Sequence, residues 1–218
     1  MRILSNGLLR GKKMNEGYLQ ILNSISSSKP TPGGGSVAAL TLAHGHSLSV
    51  MVSRLTVNSD KWIDGHTVAN NIISQSEKNI SSCITLANND SSAFEGVMEA
   101  YRLPKDEEGS NIRSIAIRKA TIEAAEAPLE TMKFSLKFMH TLADLAKECN
   151  ANALTDLASA AELGISACKM AEFNVRINID HLSGEDIDSL QTASQHLLTE
   201  CNQVMSEITQ LYTNRLGW

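Results

Sequence analysis

The chain has 218 residues, 42% of them hydrophobic and 20% charged, enough apolar material for one sizeable packed core. Its formal net charge is −5 with no Lys/Arg block above the background, which argues against a nucleic-acid partner. No apolar run reaches the length of a membrane span. Aromatic residues make up only 4% and there are four prolines, a composition that favours helices over sheet.

Residues 1–14 read as a disordered extension ahead of a start near Met14. Arg2, Arg10, Lys12 and Lys13 break up any apolar segment, and no secretory cleavage site follows. A single domain over residues 15–218 is expected after it. The first helix is predicted over 15–28, with Tyr18, Leu19, Leu22 and Ile25 at helical spacing. Then comes Pro30-Thr31-Pro32-Gly33-Gly34-Gly35-Ser36, set directly against an apolar stretch from Val37. Each glycine costs about 1 kcal/mol in a helix relative to alanine. Two readings follow. The run is a stiff turn before a tightly packed helix, or it lets a ligand approach the helix-opening amides, which are unpaired and carry the positive dipole end.

The second helix is predicted over 36–57. Its row of small residues, Ala38, Thr41, Gly45 and Ser49, lets a neighbour come close. His44 and His46 point about 200° apart on a helix and cannot share a metal ion. His44, among Val37, Leu40, Leu48 and Met51, reads as a core or interface histidine. The third helix, 66–101, carries two heptad rows: Ile73, Ile80, Ala87, Phe94, Tyr101 and Ser76, Cys83, Asp90, Val97. Pro104 ends it, before an acidic loop through Asp106, Glu107 and Glu108. The fourth, 112–149, has the seam Ile115, Ile122, Leu129, Leu136, Ala143, with Pro128 inside to kink or interrupt it. In the fifth, 152–179, Glu162, Lys169 and Arg176 form the one consistently charged row, so most of its surface is expected to be buried. Gly184 breaks the chain before a last helix over 185–214. Together these predict an all-α, up-and-down bundle of five or six long helices. Cys83, Cys149, Cys168 and Cys201 lack metal-ligand spacing and read as buried thiols in a reducing compartment, the cytoplasm.

Asp90 stands out because it occupies a seam row. A carboxylate there is ion-paired, caps a helix, or works. Asp156 and Asn174 share one face of the fifth helix but lie five turns apart, about 27 Å. A single small reacting group cannot touch both within one chain; a long ligand or a second subunit can use both. Each alone also reads as a satisfied core polar residue. No Glu-x-x-His pair, G-x-S-x-G, P-loop or dinucleotide fingerprint is present.

Four stretches, in order, carry a resemblance. They are Pro30 to Leu40 followed by Met51-Val52-Ser53-Arg54-Leu55-Thr56; Asp90-Ser91-Ser92-Ala93-Phe94 with Val97, Met98, Ala100, Leu103 and Pro104; Ala124-Ala125-Glu126-Ala127-Pro128-Leu129; and Asn152, Asp156 and Asn174-Val175-Arg176-Ile177-Asn178. Across residues 15–180 the chain resembles the cyclodeaminase/cyclohydrolase family of folate enzymes, which includes the C-terminal domain of formiminotransferase-cyclodeaminase and stand-alone methenyltetrahydrofolate cyclohydrolases. It departs from the family pattern at His44 and His46 and around Lys61.

The resemblance implies a homodimer that binds a reduced folate near the glycine motif. It also implies acid–base chemistry at the carbon joined to N5 and N10, with neither metal nor nucleotide cofactor. Asp90 is the expected proton carrier. Pro32, Gly33, Gly34, Gly35 and Ser36 are expected to cradle the folate, with Asp156 and Asn174 adding polar contacts. The alternative is a non-catalytic helical folate-binding module or a structural dimer.

Overall fold

The computed structural model describes residues 17–105 and 109–218. The proposed N-terminal extension and the acidic loop at 106–108 lie outside them. Six α-helices and no strand are found among the described residues: α1 Tyr18–Ile25, α2 Gly34–Val57, α3 His66–Arg102, α4 Gly109–Glu148, α5 Leu154–Ile179 and α6 Glu185–Leu216. A 3-10 segment, Asp60–Gly65, joins α2 to α3, and another, Ala151–Ala153, precedes α5. Helix α1 stops earlier than its periodicity suggests. Ser26 and Ser27 turn their hydroxyls back onto the carbonyls of Asn23 and Ser24, competing with the helical ladder.

Helices α2 to α5 close a ring in which α2 packs on α3 and α5, and α4 packs on the same two; α6 lies across α4 and α5. The tightest point is the ring of Phe138 on α4. A β-carbon on Gly45 of α2 would lie 2.9 Å from that ring and 3.3 Å from the Ala160 carbonyl oxygen of α5. One on Gly164 of α5 would lie 3.0 Å from the same ring and 2.6 Å from Met139 Sδ. The small row of α2 thus does what its sequence suggests, and three helices converge on one aromatic side chain. Leu42, Val52, Met132, Met139, Leu142, Leu157 and Val175 fill the surrounding core with no exposed surface. All four cysteines are free and buried.

The heptad rows are buried only in part. Cys83 and Ala87 are interior, whereas Phe94 and Tyr101 on α3 and Ile115 on α4 are exposed. A straight α-helix turns about 20° per heptad away from a 3.5-residue repeat, so a long row rotates out of the seam. His44, read as a core or interface histidine, has no place in the core. It is exposed, bonding the Tyr18 hydroxyl at 3.2 Å and the Leu40 carbonyl at 2.7 Å. His46 is the buried one, 6% exposed, with its ring centroid 4.3 Å from that of Phe138. Burial pulls its imidazole down to about 4.

Pro128 does not interrupt α4, which runs unbroken through it. Proline lacks the N–H that would bond the carbonyl four residues back, at Ala124. The Asn178 side chain on α5 donates to that carbonyl at 2.7 Å. At the far end of α4, Arg215 of α6 donates to the carbonyls of Ala146 and Cys149, at 2.7 and 2.5 Å. These are carbonyls the helix terminus leaves without partners.

Asn178→Leu is expected to cost about 1–3 kcal/mol, the penalty of a buried unpaired polar group. In a double-mutant cycle with Pro128→Ala, which restores the helical N–H, the two changes should couple by at least about 0.5 kcal/mol. Additive urea-unfolding energies would remove the account of Pro128 given above.

His46 titrates lower in the folded chain than in the unfolded one. The unfolded state therefore binds more protons between about pH 4 and 6.5, and stability falls as pH drops through that window. This histidine contributes up to about 3 kcal/mol of the loss. Urea unfolding of the parent and His46→Leu at pH 4.5 and 7 should show a smaller pH dependence in the variant.

Candidate functional site

Helix α2 opens without a capping side chain. Its N-cap is Gly33, and Gly34 and Gly35 form the first two helical positions. The peptide entering this turn, Thr31–Pro32, is cis. The free amides of a first turn need acceptors, and one comes from another helix. Asp90 of α3 accepts from both the backbone N–H and the hydroxyl of Ser36, the latter at 2.8 Å. The Ser36 hydroxyl, fully buried, is also 2.9 Å from that of Ser91. Asp90 is thus a helix cap supplied in three dimensions rather than along the chain.

The glycines make that cap possible. A β-carbon on Gly35 would overlap Asp90 Oδ1 and lie 2.6 Å from the carboxyl carbon. One on Gly34 would lie 3.3 Å from Asn174 Nδ2, which donates to the Met170 carbonyl on α5 at 2.8 Å. One on Gly33 would lie 3.2 Å from the Pro30 carbonyl oxygen. Three elements, the α2 terminus, α3 and α5, therefore meet at Gly34, Gly35, Ser36, Asp90 and Asn174. Gly33 sits at the rim and Pro32 at the entrance, both half-buried.

Burial pushes the Asp90 carboxyl above its ordinary value, while the hydroxyl and amide of Ser36 pull it part of the way back. Raising a carboxyl in this way moves it toward the range that general acid–base catalysis uses.

Asp156 does not join this cluster within one chain. It lies in the first turn of α5, five helical turns or about 27 Å from Asn174. The helices α2 and α5 run antiparallel, so Asp156 sits toward the end where α2 finishes, as the Gly45–Ala160 approach shows. Lys61 lies in the segment after α2, its ammonium 4.7 Å over the Trp62 ring, also away from Asp90. Ser91 belongs to the cluster, yet nothing in the periodicity marks it; its signals are its place beside Asp90 and within a stretch that carries the family resemblance. Among the described residues no group of three or more His, Cys, Asp or Glu could hold a metal ion.

Gly35→Ala is expected to destabilise by about 1–3 kcal/mol or more, since the added methyl must displace a carboxyl that caps the helix. Gly34→Ala meets only the amide end of Asn174 and gains about 1 kcal/mol of helix propensity, so it should stay within about 1 kcal/mol of the parent. Equal urea midpoints for the two variants would contradict the close approach of Asp90.

Comparison with known proteins gives a consistent result. The family described as formiminotransferase-cyclodeaminase matches residues 18–197. A methenyltetrahydrofolate cyclohydrolase from Methylorubrum extorquens is 30% identical over 165 residues, covering 75% of this chain and 79% of that protein. A formimidoyltransferase-cyclodeaminase from Gallus gallus is 26% identical over 197 residues, covering 89% of this chain but 36% of that protein. The chain thus spans about a third of the longer relative. The crystal structure of formiminotetrahydrofolate cyclodeaminase from Thermotoga maritima superposes with a TM-score of 0.82 at 24% identity, over 94% of this chain and 98% of that one, and shares the fold. With the family match running from α1 into α6, the chain belongs to the formiminotransferase-cyclodeaminase family.

Proposed function

We propose that this chain is a folate one-carbon enzyme acting at the carbon held between N5 and N10, with methenyltetrahydrofolate cyclohydrolase as the first reading. The observation that carries it is Asp90, a protonatable carboxyl fixed by Ser36 beside the glycine turn. The coverage and identity of the cyclohydrolase from Methylorubrum extorquens support the choice of reaction. Formimidoyltetrahydrofolate cyclodeaminase is the second reading, supported by bifunctional relatives at 26–28% identity. A non-catalytic binding module is disfavoured by the enzyme names of these relatives.

In the cyclohydrolase reaction water adds to the cationic methenyl carbon, and the water's extra proton must leave. The tetrahedral adduct then opens by breaking a bond to one folate nitrogen, giving the formyl product. In the cyclodeaminase direction N10 attacks the formimidoyl carbon and the amine leaves as ammonia after gaining a proton. Both need a group that takes and returns one proton beside the reacting carbon. Asp90 fills that role, with its ionised form offsetting the positive charge of the methenyl carbon. The turn through Pro32, Gly33 and Gly34 and the Asn174 amide position the folate.

Asp90→Asn keeps an acceptor oxygen for Ser36 and should remain folded, while turnover falls about 10²–10⁴-fold. The assay is loss of methenyltetrahydrofolate absorbance, run beside ammonia release from formimidoyltetrahydrofolate. Full turnover by the folded variant would remove Asp90 from the mechanism. Activity on the formimidoyl substrate alone would select the second reading.

The working unit in this proposal is a homodimer in a reducing, cytoplasmic setting. No residue of α1 is buried, although Tyr18, Leu19, Ile21 and Leu22 are apolar. Met51 and Leu55 on α2 and Phe173 and Ile177 on α5 are exposed as well. A second copy covering the α2–α5 face would remove this surface from water, and an antiparallel pairing would bring the partner's first turn of α5, where Asp156 lies, toward the Asp90 cluster. Light scattering should give twice the chain mass at assay concentration; an active monomer would rule this out.

A further inference from the structure

Helix α3 runs twelve residues past Asp90 to Arg102, about 18 Å, whereas α2 begins at Gly34 directly beside that carboxyl. Helix α4 likewise starts at Gly109, well before the Ala124 carbonyl that meets Asn178 near the end of α5. The α3–α4 hairpin therefore projects beyond the tip of α2 and the end of α5. Phe94, Val97 and Tyr101 stand on the part of α3 that projects, on the side that Asp90 turns to α2. At about 100° per residue they lie within about 40° of Asp90 around the helix. Phe94 is 37% exposed and Tyr101 51%, with Val97 half-buried between them. Glu95 and Glu99 fall on the opposite face, so the row above Asp90 is apolar and aromatic.

The row ends under a cation. Arg113 of α4 donates from Nη2 to the Tyr101 carbonyl at 3.1 Å, and its guanidinium carbon lies 5.5 Å from the centre of the Tyr101 ring. That bond lies at the protein surface, within reach of a ligand; the Nε atom is buried and takes no part. No carboxylate lies within ion-pair distance of Arg113 among the described residues. The row rises about 17 Å from Asp90 to Tyr101, and long helical side chains lean toward the N-terminus. The Tyr101 ring and the guanidinium over it therefore come closer to Asp90 than the Tyr101 backbone does.

We propose that this row is the subsite for the tail of the folate. The benzoyl ring attached at N10 packs on Phe94 and Val97, and a carboxylate of the terminal glutamate meets the outer edge of the Arg113 guanidinium. The inference rests on the folate reading of the Asp90 cluster and fixes which way the substrate lies. The pterin ring has no carboxylate to offer a cation, so it takes the glycine side and the tail takes α3. Arginine suits this place because its planar fork can pair with a carboxylate while one nitrogen stays on the Tyr101 carbonyl.

The test compares the folate substrate, methenyl or formimidoyl as the assay above selects, with its diamide, in which both tail carboxylates are amides and the reacting carbon is unchanged. Arg113→Gln keeps a donor for the Tyr101 carbonyl. It should raise KM for the folate at least about tenfold, the worth of a hydrogen bond to a charged group, with kcat little changed. The diamide should show a raised KM already in the parent, and Arg113→Gln should raise it no further. Phe94→Leu keeps an apolar side chain but removes the ring, and should raise KM several-fold for both substrates alike. An unchanged KM for the folate in Arg113→Gln, or an equal rise for both substrates in that variant, would overturn the tail subsite while leaving the folate reading intact. So would loss of dimerisation in Phe94→Leu with KM unchanged, because a second copy would then be what covers the row. If the parent turned over neither substrate, the folate reading itself would fall and the subsite with it.

Discussion

The architecture depends on how closely the backbone of α2 can be approached. Much of the buried face of this helix is glycine, alanine or serine, and these small residues let α3, α4 and α5 press closely against it. At Gly45 the space goes to the Phe138 ring, and at Gly35 to the Asp90 carboxyl. The same device, a missing β-carbon, builds a packed core at mid-helix and a polar cluster at the helix tip. The core is rigid because its contacts are with aromatic and aliphatic side chains. The tip is chemically useful because its contact is with an acid.

Asp90 holds two opposed roles. As the tertiary cap of a helix whose own N-cap has no side chain, it favours the charged form, drawn by the Ser36 donors and the helix dipole. As a half-buried carboxyl it favours the neutral form, and burial is the larger influence. A group under such competing pressures can change charge at modest cost, which is what a proton carrier requires. His46 is subject to burial alone, and its charge state is fixed at neutral pH.

Much of this was legible in the chain. The glycine run and the seam position of Asp90 each stood out, the family resemblance joined them, and α3 and α4 were visible from their heptads. Helix ends were read less well, because α1 is shortened by serines that bond its own carbonyls, a local competition that periodicity does not register. Asp156 and Asn174 share a face of α5, and their 18-residue spacing alone already set them five turns apart. Ser91, the Asn178 bond to Ala124 and the meeting of Gly45 and Gly164 at Phe138 depend on which helices are neighbours. The sequence of any one helix does not hold that information. Pro128 looked like a kink or an interruption; that the helix runs on through it depends on a bond from another helix.

The Arg215 contacts have a consequence for the order of events as the chain is made. The Ala146 carbonyl in the last turn of α4 and the Cys149 carbonyl just beyond it are satisfied by a guanidinium 66 and more residues later. During vectorial synthesis α2 to α5 can emerge and begin to associate, but the end of α4 must rely on water until the last turn of α6 leaves the ribosome. The closing contact of the bundle is therefore a hydrogen-bonded latch, set after the apolar core has its components in place.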